Sequence, residues 1–198
     1  MTGRTTLVVA LWFATVLAVA SASHAGTGFT TDEITEWPRP YPHYGDEIEQ
    51  YSPRLASEGH CFLLAWYEHF YVADWIVHQV PYAARLSGSG EVLDPDGLLM
   101  FDSTGGYGYG KEPDVCVVGA DYWVFFGYHG LVESYHAKPV SCDGTVGEII
   151  GVGRGTGWES VHSLATAYMS GGNVIAVWQN PYGIDYSLLT PTGEQLID

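Results

Sequence analysis

Short apolar and aromatic runs alternate with clusters of glycine, aspartate, serine and asparagine over most of the chain after residue 52. Many short apolar runs bounded by turn residues are typical of β-strands joined by tight turns. No segment after that point has apolar residues at the spacing of an amphipathic helix. The pattern therefore predicts an all-β domain over residues 53–198.

The apolar runs repeat along the chain. Residues 53–69 align without a gap on residues 113–129, and residues 173–178 supply a third copy of the central apolar strand. One strand position is occupied in the three copies by Trp66, Phe126 and Trp178. We expect these side chains to pack between sheets rather than to contact a ligand.

A second strand and a glycine-containing turn follow each copy. The turn glycines are Gly90, Gly144 and Gly193, which stand 54 and 49 residues apart. Such a period, with several strands in each unit, is typical of β-propeller blades. The sequence thus predicts about three propeller-type antiparallel blades. Because closed propellers usually have four to eight blades, we expect a partial or open β-propeller, either truncated or assembled with copies of itself.

The repeat elements also have a distinctive order: a strand ending in Trp, an Ile-x-Tyr strand, a Pro-x-Gly turn, a Leu-Asp-Pro stretch and a strand that opens with proline. They are Val174–Trp178, Ile184–Tyr186, Thr190–Gly193, Val92–Gly97 and Pro113–Cys116. In these elements, residues 53–198 resemble the β-propeller-like repeats of secreted bacterial multi-repeat proteins. The middle unit departs from that pattern at Phe126 and Val146–Glu148, which leaves its register open. The resemblance implies a propeller-like fold and export, and no shared catalytic residues.

The N-terminal 25 residues are typical of a signal peptide. A lone Arg4 precedes an apolar run from Leu7 to Ala20, and A-x-A-like cleavage sites end at Ala22 and Ala25. Residues 26–52 are acidic and contain prolines, which disfavour helices and central strands. We therefore predict a signal peptide at 1–25, an extended N-terminal arm or irregular edge strand at 26–52, and the repeat domain at 53–198. We expect a secreted chain that is extracellular or periplasmic.

The charge balance limits the partners. The chain has 23 acidic against 7 Lys and Arg residues, for a net charge of −16. Such a surface repels phosphate backbones and anionic lipid. We therefore expect no nucleic-acid partner and no membrane insertion after signal cleavage.

The cysteines are too few for a disulfide scaffold. They are Cys61, Cys116 and Cys142, and their odd number permits at most one bridge within the chain. The residues leave two alternatives open: a Cys116–Cys142 bridge or three buried thiols.

Two glycine-rich segments look like nucleotide-binding loops but lack the residues these need. In Gly105–Lys111 the residue that would meet Mg²⁺ is Glu112, Pro113 follows it, and a strand rather than a helix comes next. In Gly151–Gly157 the sixth position is threonine and no crossover helix follows. We therefore expect no bound nucleotide cofactor.

The candidate metal ligands also form no complete motif. Asp94, Asp96 and Asp102 could offer carboxylates to Ca²⁺, but the bidentate glutamate of an EF-hand is missing, and the repeat explains the same residues as a turn. Other potential ligands match no compact zinc spacing; they are His60, Cys61, His69, His78, His129 and His136. We expect no metal site and no cofactor.

Loop aromatic residues are the best candidates for ligand contacts. Tyr107, Tyr109, Trp158 and Tyr182 lie outside the central apolar strands, where exposed rings can stack on sugars or anchor a protein. No nucleophile elbow of the G-x-S-x-G type occurs. The expected function is non-enzymatic binding or scaffolding at the cell exterior, with a glycan or protein partner and self-association through exposed sheet edges. The alternatives are a carbohydrate-active hydrolase that uses loop carboxylates and a truncated propeller without independent function.

Overall fold

The computed structural model describes residues 49–73, 76–102, 109–129, 133–154, 163–180 and 182–197. These residues form twelve β-strands and no helix, which confirms the all-β fold class. The predicted signal peptide and the predicted arm before Glu49 lie outside the described residues. The first strand begins at Glu49, so the last residues of the predicted arm form part of an edge strand with a register shift between Tyr51 and Arg54.

The strands form three antiparallel sheets of four strands, and in each sheet the strands follow chain order. The first sheet contains β1 (Glu49–Ser57), β2 (Cys61–Ala73), β3 (Ile76–Ser87) and β4 (Leu98–Leu99). The second contains β5 (Tyr109–Val118), β6 (Asp121–His129), β7 (Glu133–Ser141) and β8 (Ile150–Arg154). The third contains β9 (Leu164–Tyr168), β10 (Val174–Asn180), β11 (Gly183–Leu189) and β12 (Gln195–Ile197). Nothing in the described part of the chain forms a helix long and apolar enough to cross a membrane.

The same tight turn follows the third strand of every sheet. Gly90, Gly144 and Gly193 have φ angles of 88°, 93° and 86°, and each donates its backbone N–H to the carbonyl three residues earlier. Glycine adopts this left-handed backbone without steric cost, whereas other residues do not. The residue that supplies that carbonyl also accepts a backbone N–H on its own hydroxyl, as Ser87 does from Glu91 at 3.0 Å. The repeat seen in the sequence is therefore a structural repeat.

The second sheet is buried on both faces. Along β6, Tyr122, Val124 and Phe126 pack against the first sheet. The intervening Trp123 and Phe125 pack against the third sheet. Successive side chains of a strand point to opposite faces, so one continuous apolar run supplies two separate cores.

The three aromatic residues at the shared repeat position lie on equivalent faces. Phe126 faces the first sheet and Trp178 faces the second. Trp66 lies on the face of the first sheet that points away from the second, where it pairs with Tyr82 across the strands. All three side chains are buried. The second and third sheets therefore turn the same face towards the sheet that precedes them, and Trp66 lies on the equivalent face of the first sheet.

The first strands of the three sheets lie side by side. β5 contacts both β1 and β9. A carboxylate joins the first strands of the second and third sheets, because Asp114 of β5 accepts hydrogen bonds from the backbone N and Oγ1 of Thr166 in β9, at 2.5 and 2.7 Å. The sheets are thus connected at their first strands as well as through their faces.

Neither alternative for the cysteines is correct. Cys61 and Cys142 form a disulfide, and Cys116 is a buried free thiol. Cys116 lies in the core between the second and third sheets, whereas Cys142 packs against the core between the first and second. Cys116 and Cys142 therefore belong to opposite faces of the second sheet. Desolvation raises the pKa of the Cys116 thiol to about 11, which keeps it protonated and poorly nucleophilic.

Candidate functional site

Two of the four predicted contact residues, Tyr109 and Tyr182, are among the described residues, and both lie at the same end of the three sheets. We call it the loop end: β2, β6 and β10 finish there, at Ala73, His129 and Asn180. Tyr109 opens β5 at this end, and its backbone pairs with His129. Tyr182 lies two residues after Asn180. The other two predicted residues, Tyr107 and Trp158, lie outside the described residues.

Tyr182 is the most exposed large apolar side chain in the described part of the chain, at 86%. Its turn is nevertheless fixed. The Tyr182 backbone N donates to Asn180 Oδ1 at 2.7 Å, and Asn180 Nδ2 donates to Asp185 Oδ2 at 2.5 Å. Asn180 itself is buried. A braced backbone that leaves an aromatic ring in solvent is a suitable arrangement for stacking on a ligand.

A groove of about 640 Å³ opens beside Tyr182. Its apolar wall includes Ala165, Val177 and Ile184, and Gln179 supplies a polar side chain. An apolar wall with few polar groups and an aromatic rim is typical of small-ligand and peptide sites. Sequence reasoning found Tyr182 but missed this wall.

A second groove, of about 490 Å³, lies between the segment after β4 and the segment before β8. Asp102, Lys138 and Glu148 line it together with apolar side chains. Two carboxylates and a cation around one groove can bind a polyhydroxylated ligand. The sequence analysis considered Asp102 only as a calcium ligand and did not connect it with Glu148.

The described residues contain one group of three potential metal ligands, formed by Glu58, Cys61 and Cys142. Their ligand atoms lie within 4.8 Å of one another. Both sulfurs belong to the disulfide, so neither is a thiolate that could bind a metal ion. The two cysteines of this group therefore form a covalent link between the first and second sheets.

Among the described side chains, no group of three potential metal ligands includes a histidine. His69 contacts Tyr51, with ring centroids 5.7 Å apart. His136 stacks on Phe101 at 6.1 Å, and burial lowers its pKa. A histidine that burial keeps neutral is suited to packing between aromatic rings.

An ion pair next to the disulfide links the first two sheets. Arg85 donates from Nε and Nη2 to the two carboxylate oxygens of Asp94, at 2.8 and 2.7 Å. Its Nη1 donates to the carbonyl oxygen of Cys142 at 2.7 Å. The hydrogen bond to Asp94 raises the pKa of Arg85. Burial alone would raise the pKa of Asp94, but the hydrogen bonds and charge of Arg85 hold it below its ordinary value.

Asp94→Asn should lower the free energy of unfolding by about 2 kcal/mol at pH 7, because Arg85 would lose its charged acceptor in a partly buried place. A carboxyl with a lowered pKa stabilises the fold above its unfolded pKa of about 3.9 and loses that effect as the pH falls through the folded value. The difference between the wild type and the variant should therefore shrink below about pH 4. Urea unfolding at pH 7 and at pH 2.5 measures it. Asp96→Asn, at an exposed neighbour, is the matched control; an equal loss in that variant would contradict the prediction.

No protein-family model matches this chain, and a search of curated proteins finds none with a similar sequence.

Proposed function

We propose that the chain is an exported, non-enzymatic β-repeat protein that binds or scaffolds at the cell exterior. The observation that supports this proposal most is the loop end, where a braced turn presents Tyr182 beside an apolar groove. Loops on a rigid β-framework are common sites of recognition. Export follows from the signal-like N-terminus, and the mature chain should begin after Ala22 or Ala25.

We also propose that the three sheets are blades of a partial or open β-propeller. In a propeller, four-stranded antiparallel sheets stack face to face around an axis, with their first strands closest to it. Two features support this arrangement: the contacts of β5 with β1 and β9, and the equivalent faces of Trp66, Phe126 and Trp178. The blades would then hold the loop end as one continuous rim.

A glycan or an extended peptide is the ligand class that fits the loop end. An exposed tyrosine ring stacks on the apolar face of a sugar or on a peptide side chain. An acidic chain with few cations does not favour anionic ligands. The partner should therefore be neutral or basic.

The test is binding of the purified mature chain to immobilised neutral polysaccharides and to a peptide library. Tyr182→Ala should weaken the binding of any ligand that is found by about fivefold or more, because an aromatic anchor is worth at least ~1 kcal/mol. Tyr168→Ala is the matched control, because Tyr168 is an exposed tyrosine at the opposite end of the third sheet. Equal binding by wild type and Tyr182→Ala would contradict the proposal.

The alternative is a carbohydrate-active hydrolase, and the groove shared by Asp102 and Glu148 is the observation that favours it. Glycosidases hold two carboxyl groups about 5 to 10 Å apart across the scissile bond. Release of reducing sugars from the same polysaccharides, with its loss in Glu148→Gln, would replace the non-enzymatic proposal with this one.

A further inference from the structure

The outer face of the third sheet has no charged side chain among its described positions. Strand pairing places nine residues on this face, which points away from the second sheet. They are Ala165, Ala167, Ile175, Val177, Gln179, Ile184, Tyr186, Leu188 and Ile197. Eight of these nine are apolar or aromatic, in a chain with 23 acidic residues. A monomer surface rarely keeps such a contiguous uncharged face unless it is a contact site.

This uncharged face is open to solvent. Ile184 is 74% exposed, and Tyr186 and Ile197 are also exposed. The corresponding faces of the other sheets are not open: Leu63 and Ala65 of the first sheet pack on the second, and Trp123 and Phe125 of the second pack on the third. Two such faces thus form interfaces between sheets, whereas this third one has no sheet packed against it among the described residues.

We infer that a second copy of this chain covers the uncharged face, in a two-fold symmetric dimer in which the same face meets itself. The outward face of the first sheet is the other candidate for contact. There, Trp66, Tyr82 and Ala84 are already buried within the single chain, so a head-to-tail array through that face is disfavoured. Closed two-fold dimers are the commonest soluble homo-oligomers.

The charge distribution favours a second copy over a basic partner. Two chains that each carry a net charge of −16 repel one another wherever acidic surfaces meet. Contact through uncharged faces avoids placing like charges opposite one another. A basic partner would need carboxylates to recognise, and this face offers none among the described residues.

The uncharged face shares Ala165, Val177, Gln179 and Ile184 with the groove beside Tyr182, so a dimer would cover that groove and compete with the proposed ligand. The two proposals fail separately, because the dimer is measured in the absence of ligand. The mass of the purified mature chain is measured by light scattering during size exclusion at about 5 to 100 μM, a range in which weak dimers dissociate. We expect twice the chain mass at the highest concentration. Ile184→Asp should weaken the dimer roughly 100-fold, since it buries two unpaired charges at a symmetric contact. Leu55→Asp adds the same charge at an exposed apolar strand position, 55% exposed, away from this face, and should leave the dimer intact.

One introduced cysteine distinguishes the symmetric contact from other modes of dimer formation. Tyr186 pairs with Val177 between the two central strands of the sheet, so it lies at the middle of the face. With the two-fold axis through that middle, Tyr186→Cys should form a disulfide-linked dimer on mild oxidation, whereas Leu55→Cys should not. A monomeric wild type at 100 μM would overturn the inference. A dimer that survives Ile184→Asp would also overturn it, because the contact would then be the open edge of β11. In the described part of the chain, β11 pairs with β12 only at Leu188 and Leu189. An assembly larger than two copies would indicate a head-to-tail array and would also overturn it.

Discussion

Replacing both Cys61 and Cys142 with serine should lower the free energy of unfolding by about 4 kcal/mol. The bridge joins residues that are 81 positions apart, from the start of β2 to the turn after β7. Closing so long a loop removes much of the freedom of the unfolded chain, which is where a disulfide has most of its effect. The same bridge connects the first and second sheets, so its loss should be felt across their shared core. Urea unfolding of the double variant measures the change.

The reductant provides the control. Dithiothreitol should destabilise the wild type by about the same amount, on the order of 4 kcal/mol, and should leave the double variant unchanged. Thiol titration of the unreduced, denatured wild type should find one thiol per chain, from Cys116. Three thiols would show that the bridge is absent, and equal stability with and without reductant would contradict its role.

The repeat made much of the fold predictable from the sequence. The three turns have a hydroxyl residue three positions before glycine, at Ser87, Ser141 and Thr190, and this spacing fixes where each third strand ends. The middle unit was uncertain because Phe126 stands where the other copies have tryptophan. The structure keeps β6 and β7 in one continuous register from Asp121 to His129. A different aromatic ring fills the same side of the strand, so the register does not change.

The stacking of the sheets could not be predicted in the same way. A strand buried on both faces, such as β6, is apolar at every position from Tyr122 to Phe126, so its sequence does not show which sheet each side chain meets. The cysteine pairing failed for this reason. Cys116 lies in β5 and Cys142 lies in the turn after β7 of the same sheet, but they belong to opposite faces of that sheet. Only the fold reveals that Cys61 of the preceding sheet is the partner of Cys142.

The candidate sites were predicted even less completely. Tyr182 was predicted as a loop aromatic residue outside the central apolar strands, but the groove beside it combines β9, β10 and β11. The uncharged face likewise uses alternate residues of four strands. In β11 the sequence Ile-Asp-Tyr-Ser-Leu does alternate between apolar and polar residues, which indicates one apolar face. That pattern alone normally predicts a face turned towards the core, whereas here it is turned outwards.

Trp178→Ala should lower the free energy of unfolding by about 4 kcal/mol. Trp178 is 2% exposed and stacks on Tyr135 of the second sheet, with ring centroids 4.6 Å apart. The removed ring would leave a cavity in the core between the second and third sheets. Its Nε1 has no hydrogen-bond partner in the described part of the chain, so the loss reflects packing rather than a broken hydrogen bond. Urea unfolding measures it, and a loss below about 1 kcal/mol would indicate that the two sheets do not depend on this contact.

Substitution of Gly153 tests the position of the Trp178 ring, because the backbone of Gly153 lies against that ring. A Cβ added at Gly153 of β8 would lie 2.4 Å from Cη2 of Trp178, so Gly153→Ala should cost about 2 kcal/mol through overpacking. Gly151→Ala, on the same strand, would meet nothing within 4 Å and should be nearly neutral. In the Trp178→Ala background, Gly153→Ala should lose its cost, because the methyl group enters the space that the ring has left. Equal costs in the two backgrounds would mean that β8 and β10 do not meet through these residues, and the packing of the second sheet on the third would have to be revised.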